Sequence, residues 1–593
     1  MTLGTTKQVR ELLGFITPDE FRQINLKKSR AMTNKIMDIK SAINKFIKDG
    51  DYLGIGGFGM DRIPSCALHE IVRQKKKHLT LAGHTATHDG QILFAGECID
   101  KIDAAYVVGV ELLGLSPNYR RAFQEGKVQV TEWTNATLAW RYKAASMGIP
   151  FLPVRTMLGT ETIKHSRAIE YSCPFTGGTY ALVPACYPDI SIIHVPRSDE
   201  YGNCQIDGIT VSDSDLARAS RKLIITTEEI IPTEQIRATP ERTIIPYYYV
   251  DAVVQIPYGS YPGNMPGKYY LDIEHLNEWN EAEKDPAQLE KFMDKYIYGV
   301  KDWNEYIERC GGKKRLAELK SIELVEKKEV KESSQTNTSP PNMIEFMICA
   351  ASRVLEDNKT AVVGTGLPML AAMLAQKTHA TNLLLMFEAG GIAPLLPALP
   401  MSVGDSRTHH KSLVATSMPE IMETCARGMV DYAFLGGAQI DKYGNLNSTI
   451  IGNYDKPKVR LPGSGGANDL ASLCWNTIII MKMDKHKFVE KLDFLTTPGY
   501  LTGAGAREKA GLPPNAGPFK VITDFCILGF DKETKEMQVE SLHPGVTFED
   551  VQNRCSFKLK IVDSKFPVTK EPTQKELEIL RKEIDPRKQV IGK

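Results

Sequence analysis

The pentapeptide Asp199-Glu200-Tyr201-Gly202-Asn203 returns 242 positions later as Asp441-Lys442-Tyr443-Gly444-Asn445. Each copy follows a short apolar run, Ile190–Val195 in the first case and Tyr432–Leu435 in the second. An apolar run of strand length that ends in Asp, Gly and Asn reads as a strand and a tight turn, with Gly or Asn supplying positive φ. Two more echoes keep the same order. Near the start of each half comes strand, glycine turn and helix: Tyr52–Ile55, Gly56-Gly57-Phe58-Gly59 and a helix from Ser65, then Ala361–Val363, Gly364-Thr365-Gly366 and a helix from Met369. Toward each end, Val250–Ile256 precedes Pro257-Tyr258-Gly259, and Phe494-Leu495 precedes Thr496-Thr497-Pro498-Gly499. Ordered echoes at unequal spacing predict an α/β protein of two similar, open, mostly parallel-sheet domains related by an old duplication with insertions.

A chain of 593 residues is too long for one hydrophobic core, which agrees with that division. The break falls where the charged helical stretch Lys314–Glu332 gives way to the polar run Ser333–Pro341, which lacks apolar periodicity and ends in two prolines. The expected organisation is an N-terminal extension over 1–31, a first domain over 32–330, a linker over 331–342 and a second domain over 343–593.

Three segments carry candidate chemistry. In Asn382–Pro394, five apolar residues form a strand that ends at Glu388, followed by Ala389-Gly390-Gly391. The carboxyl ends of parallel strands open onto the ligand crevice, and an apolar setting there makes a carboxylate a stronger nucleophile. On local grounds alone, a glutamate capping a following helix is the commoner reading. In Leu461–Leu470, the glycines of Gly463-Ser464-Gly465-Gly466-Ala467 precede a helix start and can aim several N–H groups at an oxyanion or a phosphate. In Gly54–Pro64, part of the spacing of a dinucleotide-binding loop is present, but Pro64 interrupts the expected helix and no strand-end acid follows. A nicotinamide-dependent enzyme is therefore not expected. His84 and His88 lie four apart in a Gly- and Thr-rich stretch without a metal-protease motif, so they read as polar loop residues, as does the pair His409-His410. Glu111, among Val110, Leu112 and Leu113, reads first as a surface helix residue and second as a carboxylate able to activate water.

Charge excludes other classes. Lys plus Arg (73) balance Asp plus Glu (72), so no global field would draw nucleic acid or an anionic membrane. The eleven cysteines contain no C-x-x-C pair and are expected to be reduced, in the cytoplasm. The first thirty residues lack the apolar region of a signal peptide, and no run is long enough to span a bilayer.

Taken in order, the three segments resemble family I coenzyme A transferases of the glutaconate CoA-transferase type, with the two subunits fused in one chain. Gly56-Gly57-Phe58-Gly59 to Pro64 is similar to the G-G-F-x(4–5)-P segment of alpha subunits, and Gly463–Ala467 to the G-x-G-G-A segment of beta subunits. Glu388-Ala389-Gly390 falls where glutaconate-type beta subunits carry E-x-G. The S-E-N-G text of the acetoacetyl and succinyl branch is absent. The resemblance covers nearly the whole chain beyond about Met32. It implies Glu388 as catalytic nucleophile, with Gly465, Gly466, Ala467, Gly57 and Phe58 around the oxyanion and CoA. It also implies an active site between the domains and a homo-oligomer. No metal and no permanently bound cofactor are implied, since coenzyme A serves as substrate and covalent intermediate. The branch suggests dicarboxylic or unsaturated acids as substrates. The same fold also hosts CoA-thioester hydrolases and ring-opening enzymes.

Overall fold

The computed structural model describes residues 14–324, 339–561 and 565–592. Seven parallel strands form the centre of the first sheet: β1 (Tyr52–Ile55), β2 (Leu79–Ala86), β3 (Ile99–Val107), β4 (Gln129–Glu132), β5 (Ile190–Ser198), β6 (Leu223–Ile230) and β7 (Ala252–Gln255), side by side as β7-β6-β5-β1-β2-β3-β4. Five parallel strands form the centre of the second: β8 (Thr360–Val362), β9 (Leu384–Met386), β10 (Tyr432–Leu435), β11 (Asn476–Ile480) and β12 (Gly517–Ile522), in the order β9-β8-β10-β11-β12. Short antiparallel strands extend both edges of this second sheet.

The duplication is visible in these orders. Reading β12-β11-β10-β8-β9 against β7-β6-β5-β1-β2 matches strand for strand. The recurring pentapeptides sit at the same place in each half, after β5 and after β10, and fold alike. Asp199 Oδ1 accepts from the N–H groups of Tyr201, Gly202 and Asn203, and Oδ2 accepts from the Asn203 amide. Asp441 does the same with Tyr443, Asn445 and the Asn445 amide. Gly202 (φ +98°) and Gly444 (φ +72°) close the turns in the left-handed region that side chains disfavour. The third echo fails. Phe494-Leu495 lies outside the sheet, and the counterpart of β7 is β12, some twenty residues further on. The Phe494 ring there packs against His165 and Tyr454, with centroids 5.4 and 5.5 Å away, and a run of two residues cannot sustain a ladder.

Parallel strands are covered on both faces, which requires continuous apolar runs such as the fully buried β1 and β10. Helix α1 (Ser65–Arg73) starts directly after Pro64, and the run that reads as a charged helix forms Gly312–Leu324. Residues 325–338, with most of the expected linker, and residues 1–13 of the expected extension lie outside the described residues. The remainder of that extension includes a helix, Pro18–Lys27, which anchors Phe21 against Tyr187 with ring centroids 4.6 Å apart. The loop reading of the histidine pair is overturned. His84 is buried in β2 and His88 opens helix α2 (His88–Ala95), also buried. Gly and Thr are accommodated in β2 because both its faces are covered and its neighbours supply the packing.

The halves share a core. One apolar cluster contains Phe58, Trp133 and Ala136 from the first and Met386, Leu435 and Leu470 from the second. The eleven cysteines are all free thiols. Among the described residues, no helix is long and apolar enough to cross a membrane, and no group of three or more His, Cys, Asp or Glu could hold a metal ion.

Candidate active site

Glu388 stands two residues beyond the carboxyl end of β9 and lines a cavity of about 340 Å³ between the two halves. No helix follows it. The chain turns at Gly390 into the short strand Gly391–Ile392, so the capping reading does not hold. The first half contributes Phe58, Thr85, Tyr106, Glu111 and Asn135 to the cavity. The second half contributes an apolar wall that includes Val362, Leu367, Phe434 and Ile480, together with the ridge Ser464–Ala467.

The ridge is locked to the first half by main-chain bonds. The Gly465 N–H donates to the Ala105 carbonyl at 2.8 Å, and the Asn135 N–H donates to the Gly465 carbonyl at 3.0 Å. The next residue faces the nucleophile candidate. A Cβ built on Gly466 would lie 2.7 Å from Glu388 Cδ and 2.9 Å from Oε2, and closer still to Oε1. Glycine is needed there for space and not for backbone freedom, because Gly466 has φ −86° and ψ 0°. A short helix, Ala467–Leu473, begins immediately afterwards.

Helix α3 (Asn135–Met147) of the first half meets this ridge end-on. Its first residue holds the carboxylate: Asn135 Nδ2 donates to Glu388 Oε1 at 2.6 Å, and Asn135 Oδ1 accepts from Thr85 Oγ1 at 3.2 Å. That helix start is clamped by Asp469 of the second half, which accepts from Thr134 Oγ1 (2.7 Å), Thr156 Oγ1 (2.6 Å) and the Ala136 N–H (3.0 Å). A carboxylate at a helix N-terminus also meets the positive end of the backbone dipoles.

Burial dominates the electrostatics. Removal from water pushes the Glu388 carboxyl up to about 7. The Asn135 hydrogen bond opposes this, and the negative charges of Asp469 and Glu111 add to it. Burial likewise lifts Glu111 to about 7 and Asp469 to about 6. Glu111 is thus no surface helix residue. It begins a 3-10 turn, Glu111–Leu113, and lines the cavity together with Phe58, Tyr106 and Val403. Its Oε1 accepts from Ser402 Oγ at 2.9 Å, while its buried Oε2 has no hydrogen-bond partner.

The residues singled out in the sequence are brought together with one exception. Glu388, Gly465, Gly466, Ala467 and the Phe58 ring all line the cavity, whereas Gly57 lies behind it. The Gly57 N–H donates to Asp213 Oδ1 and the Phe58 N–H to the Asp61 carbonyl, so both amides are satisfied within the first half. The Ala467 N–H donates to the Ser464 carbonyl at 3.1 Å. Among the described residues, the Gly466 N–H has no protein acceptor. Asp469 carries no sequence signal beyond its position at the helix start expected after the glycines, and Asn135 carries none.

The family model for coenzyme A transferase matches residues 36–255 and 344–554. Each half is similar to a different subunit of the glutaconate CoA-transferase of Acidaminococcus fermentans. The second half is 38% identical over 247 residues to one of them, covering 41% of this chain and 92% of that polypeptide. The first half is 30% identical over 306 residues to the other, covering 49% of this chain and 95% of that polypeptide. An acyl-CoA transferase from E. coli O157:H7 shares the fold across both halves, with a TM-score of 0.64 and 14% identity over 92% of this chain and 97% of that one.

Proposed function

The chain belongs to the coenzyme A transferase family, and from that premise we propose that it exchanges CoA between two carboxylic acids with Glu388 as nucleophile. On this reading residues 32–330 are an alpha-like half and 343–593 a beta-like half carrying Glu388, with 1–31 as an extension and 331–342 as a linker. One observation carries the reading: a carboxylate at a strand's carboxyl end, desolvated between the halves and pressed against Gly466.

Glu388 attacks the carbonyl carbon of the donor thioester. The carbon–sulfur bond breaks, CoA leaves as thiolate, and an acyl-glutamyl anhydride remains. The thiolate then attacks the Glu388 carbonyl carbon, expelling the donor acid as carboxylate and leaving a glutamyl-CoA thioester. An acceptor carboxylate runs the same steps in reverse and frees Glu388. Atoms and charges balance without a redox step. The Gly466 N–H, without a protein acceptor, is the donor available for the oxyanions, with Asn135 Nδ2 beside the nucleophile. Gly465, Ala467 and the Phe58 ring shape the approach of the thioester, and Gly57 supports the Phe58 turn. Binding energy from the distant CoA nucleotide offsets the cost of bringing anions together. One relative is named for a dicarboxylic acid, glutaconate, and the eleven free thiols favour a reducing cytoplasm, where the enzyme acts as a homo-oligomer.

The test is a half-reaction. Incubation with acyl-CoA alone should leave CoA on Glu388 as a thioester, cleavable by hydroxylamine and located by peptide mapping. Glu388→Ala should fold and lose activity by on the order of 10⁴–10⁶. Near-normal exchange in that variant, or a label on Glu111, would transfer the assignment to a hydrolase. Glu111 inside the cavity is the one observation that favours this second reading, because a carboxyl with a free oxygen could activate water. A hydrolase would consume acyl-CoA with no acceptor acid present.

A further inference from the structure

The walls of the cavity restrict which acyl group can sit beside Glu388. Among the described residues lining the cavity there is no Lys, Arg or His. The charged groups that line it are both acidic, Glu388 and Glu111, and Asp469 lies just behind the helix start that holds Asn135. An acid with two carboxylates would bring its second charge into a site that offers no counter-ion and two like charges. A desolvated charge without a partner is among the most costly things a protein can hold.

The same wall offers something to an uncharged polar group. Glu111 Oε1 is occupied by Ser402, and this bond fixes the side chain, whereas Oε2 is buried and unpartnered. Ser464 Oγ, on the glycine ridge, is likewise buried without a partner. Buried polar atoms of this kind are satisfied in nearly all folded proteins, so orphans on residues that line a cavity mark where a ligand's own polar atoms go. Glu111 can serve either type of partner. Protonated, it donates to an oxo oxygen; ionised, it accepts from a hydroxyl. It cannot pair with a carboxylate while ionised.

We propose that the acyl group carries no second carboxylate and presents a hydroxyl or oxo oxygen to Glu111, which makes Glu111 the residue that sets acyl specificity. This rests on Glu388 being the nucleophile. It departs from the dicarboxylic acid for which one relative is named, and the reason is local: Glu111 occupies the wall where a cation would be required. The unpaired Oε2 supplies the selection, since a site built to hydrogen-bond a substrate group discriminates strongly against analogues lacking it.

The experiment uses the full-length protein and four five-carbon CoA esters: pentanoyl, 3-hydroxypentanoyl, 3-oxopentanoyl and glutaryl. The readout is the rate of CoA thioester formation on Glu388 by mass spectrometry in single turnover. The hydroxy or oxo ester should react at least about tenfold faster than glutaryl-CoA, a factor corresponding to about 1.4 kcal/mol. In Glu111→Gln the charge is removed and the size kept, so glutaryl-CoA should gain about tenfold while the preferred ester slows. Faster labelling by glutaryl-CoA in the native protein, or an unchanged order in Glu111→Gln, overturns the proposal and leaves the nucleophile in place. Absence of label from all four esters defeats the Glu388 reading and this proposal with it.

Discussion

Replacing Gly466 by alanine isolates the geometry of the nucleophile. The backbone angles at this position suit alanine, so the variant introduces no strain of its own. The new methyl would stand 2.7 Å from Glu388 Cδ, whereas carbon atoms settle about 3.5–4.0 Å apart. The carboxylate must therefore retreat by roughly 1 Å into the cavity, which lengthens the 2.6 Å bond from Asn135 beyond hydrogen-bonding range. A misplacement of about 1 Å costs on the order of 10²-fold in rate. We expect Gly466→Ala to lower kcat for CoA exchange by about that factor, and to slow thioester formation on Glu388 equally. The cavity gives the displaced carboxylate somewhere to go, so the thermal midpoint should move by only a few degrees. Pairing the change with Glu388→Ala removes the clash, and the double variant should melt with Glu388→Ala. Turnover within threefold of wild type in Gly466→Ala would refute the contact between ridge and nucleophile.

Two substitutions should move the acid limb of the kcat/KM profile in opposite directions. With Glu388 near 7, activity falls as pH drops through that value, because the nucleophile takes up a proton. Glu111→Gln removes a negative charge that raises the Glu388 value, so the limb should shift to lower pH. Asn135→Ala removes the hydrogen bond that lowers it, so the limb should shift to higher pH. Shifts of the same sign in the two variants would contradict the electrostatic account. Residues 1–330 and 343–593 expressed separately should each be inactive, since one half holds Asn135 and the other Glu388, and co-expression should restore exchange. Full activity in either fragment alone would refute the shared site.

Much of this was legible in the sequence because the informative signals are local. An apolar strand that ends in a carboxylate and small residues singles out Glu388 as a candidate, although the local pattern alone reads more readily as a helix cap and it is the family resemblance that weighs against the cap. Two Asp-x-Tyr-Gly-Asn turns locate equivalent strand ends, because the same side-chain bonds require the same residues. What escaped is what depends on distant partners. Asn135 looks like any other polar residue until the other half brings Glu388 within 2.6 Å of it. Asp469 reads as an ordinary first-turn acid, yet the N-terminus it clamps belongs to a helix of the other domain. Apolar neighbours say that Glu111 is near a core without saying which side of it. The false echo at Phe494-Leu495 arose because Pro-Gly turns are common and two apolar residues are too few to fix a strand.

The division of labour around Asn135 and Glu388 has a consequence for the cell. Acyl-CoA thioesters hold the free energy put into making them, and a half-molecule whose carboxylate could attack them unaided would discharge that store into water. On the mechanism proposed here, a nascent, clipped or badly docked chain lacks either the donor that holds the nucleophile or the nucleophile itself. Such a chain is silent and not wasteful. Carrying both halves on one polypeptide makes them in equal number and keeps the second at high effective concentration around the first, so that the competent state forms without searching for a partner.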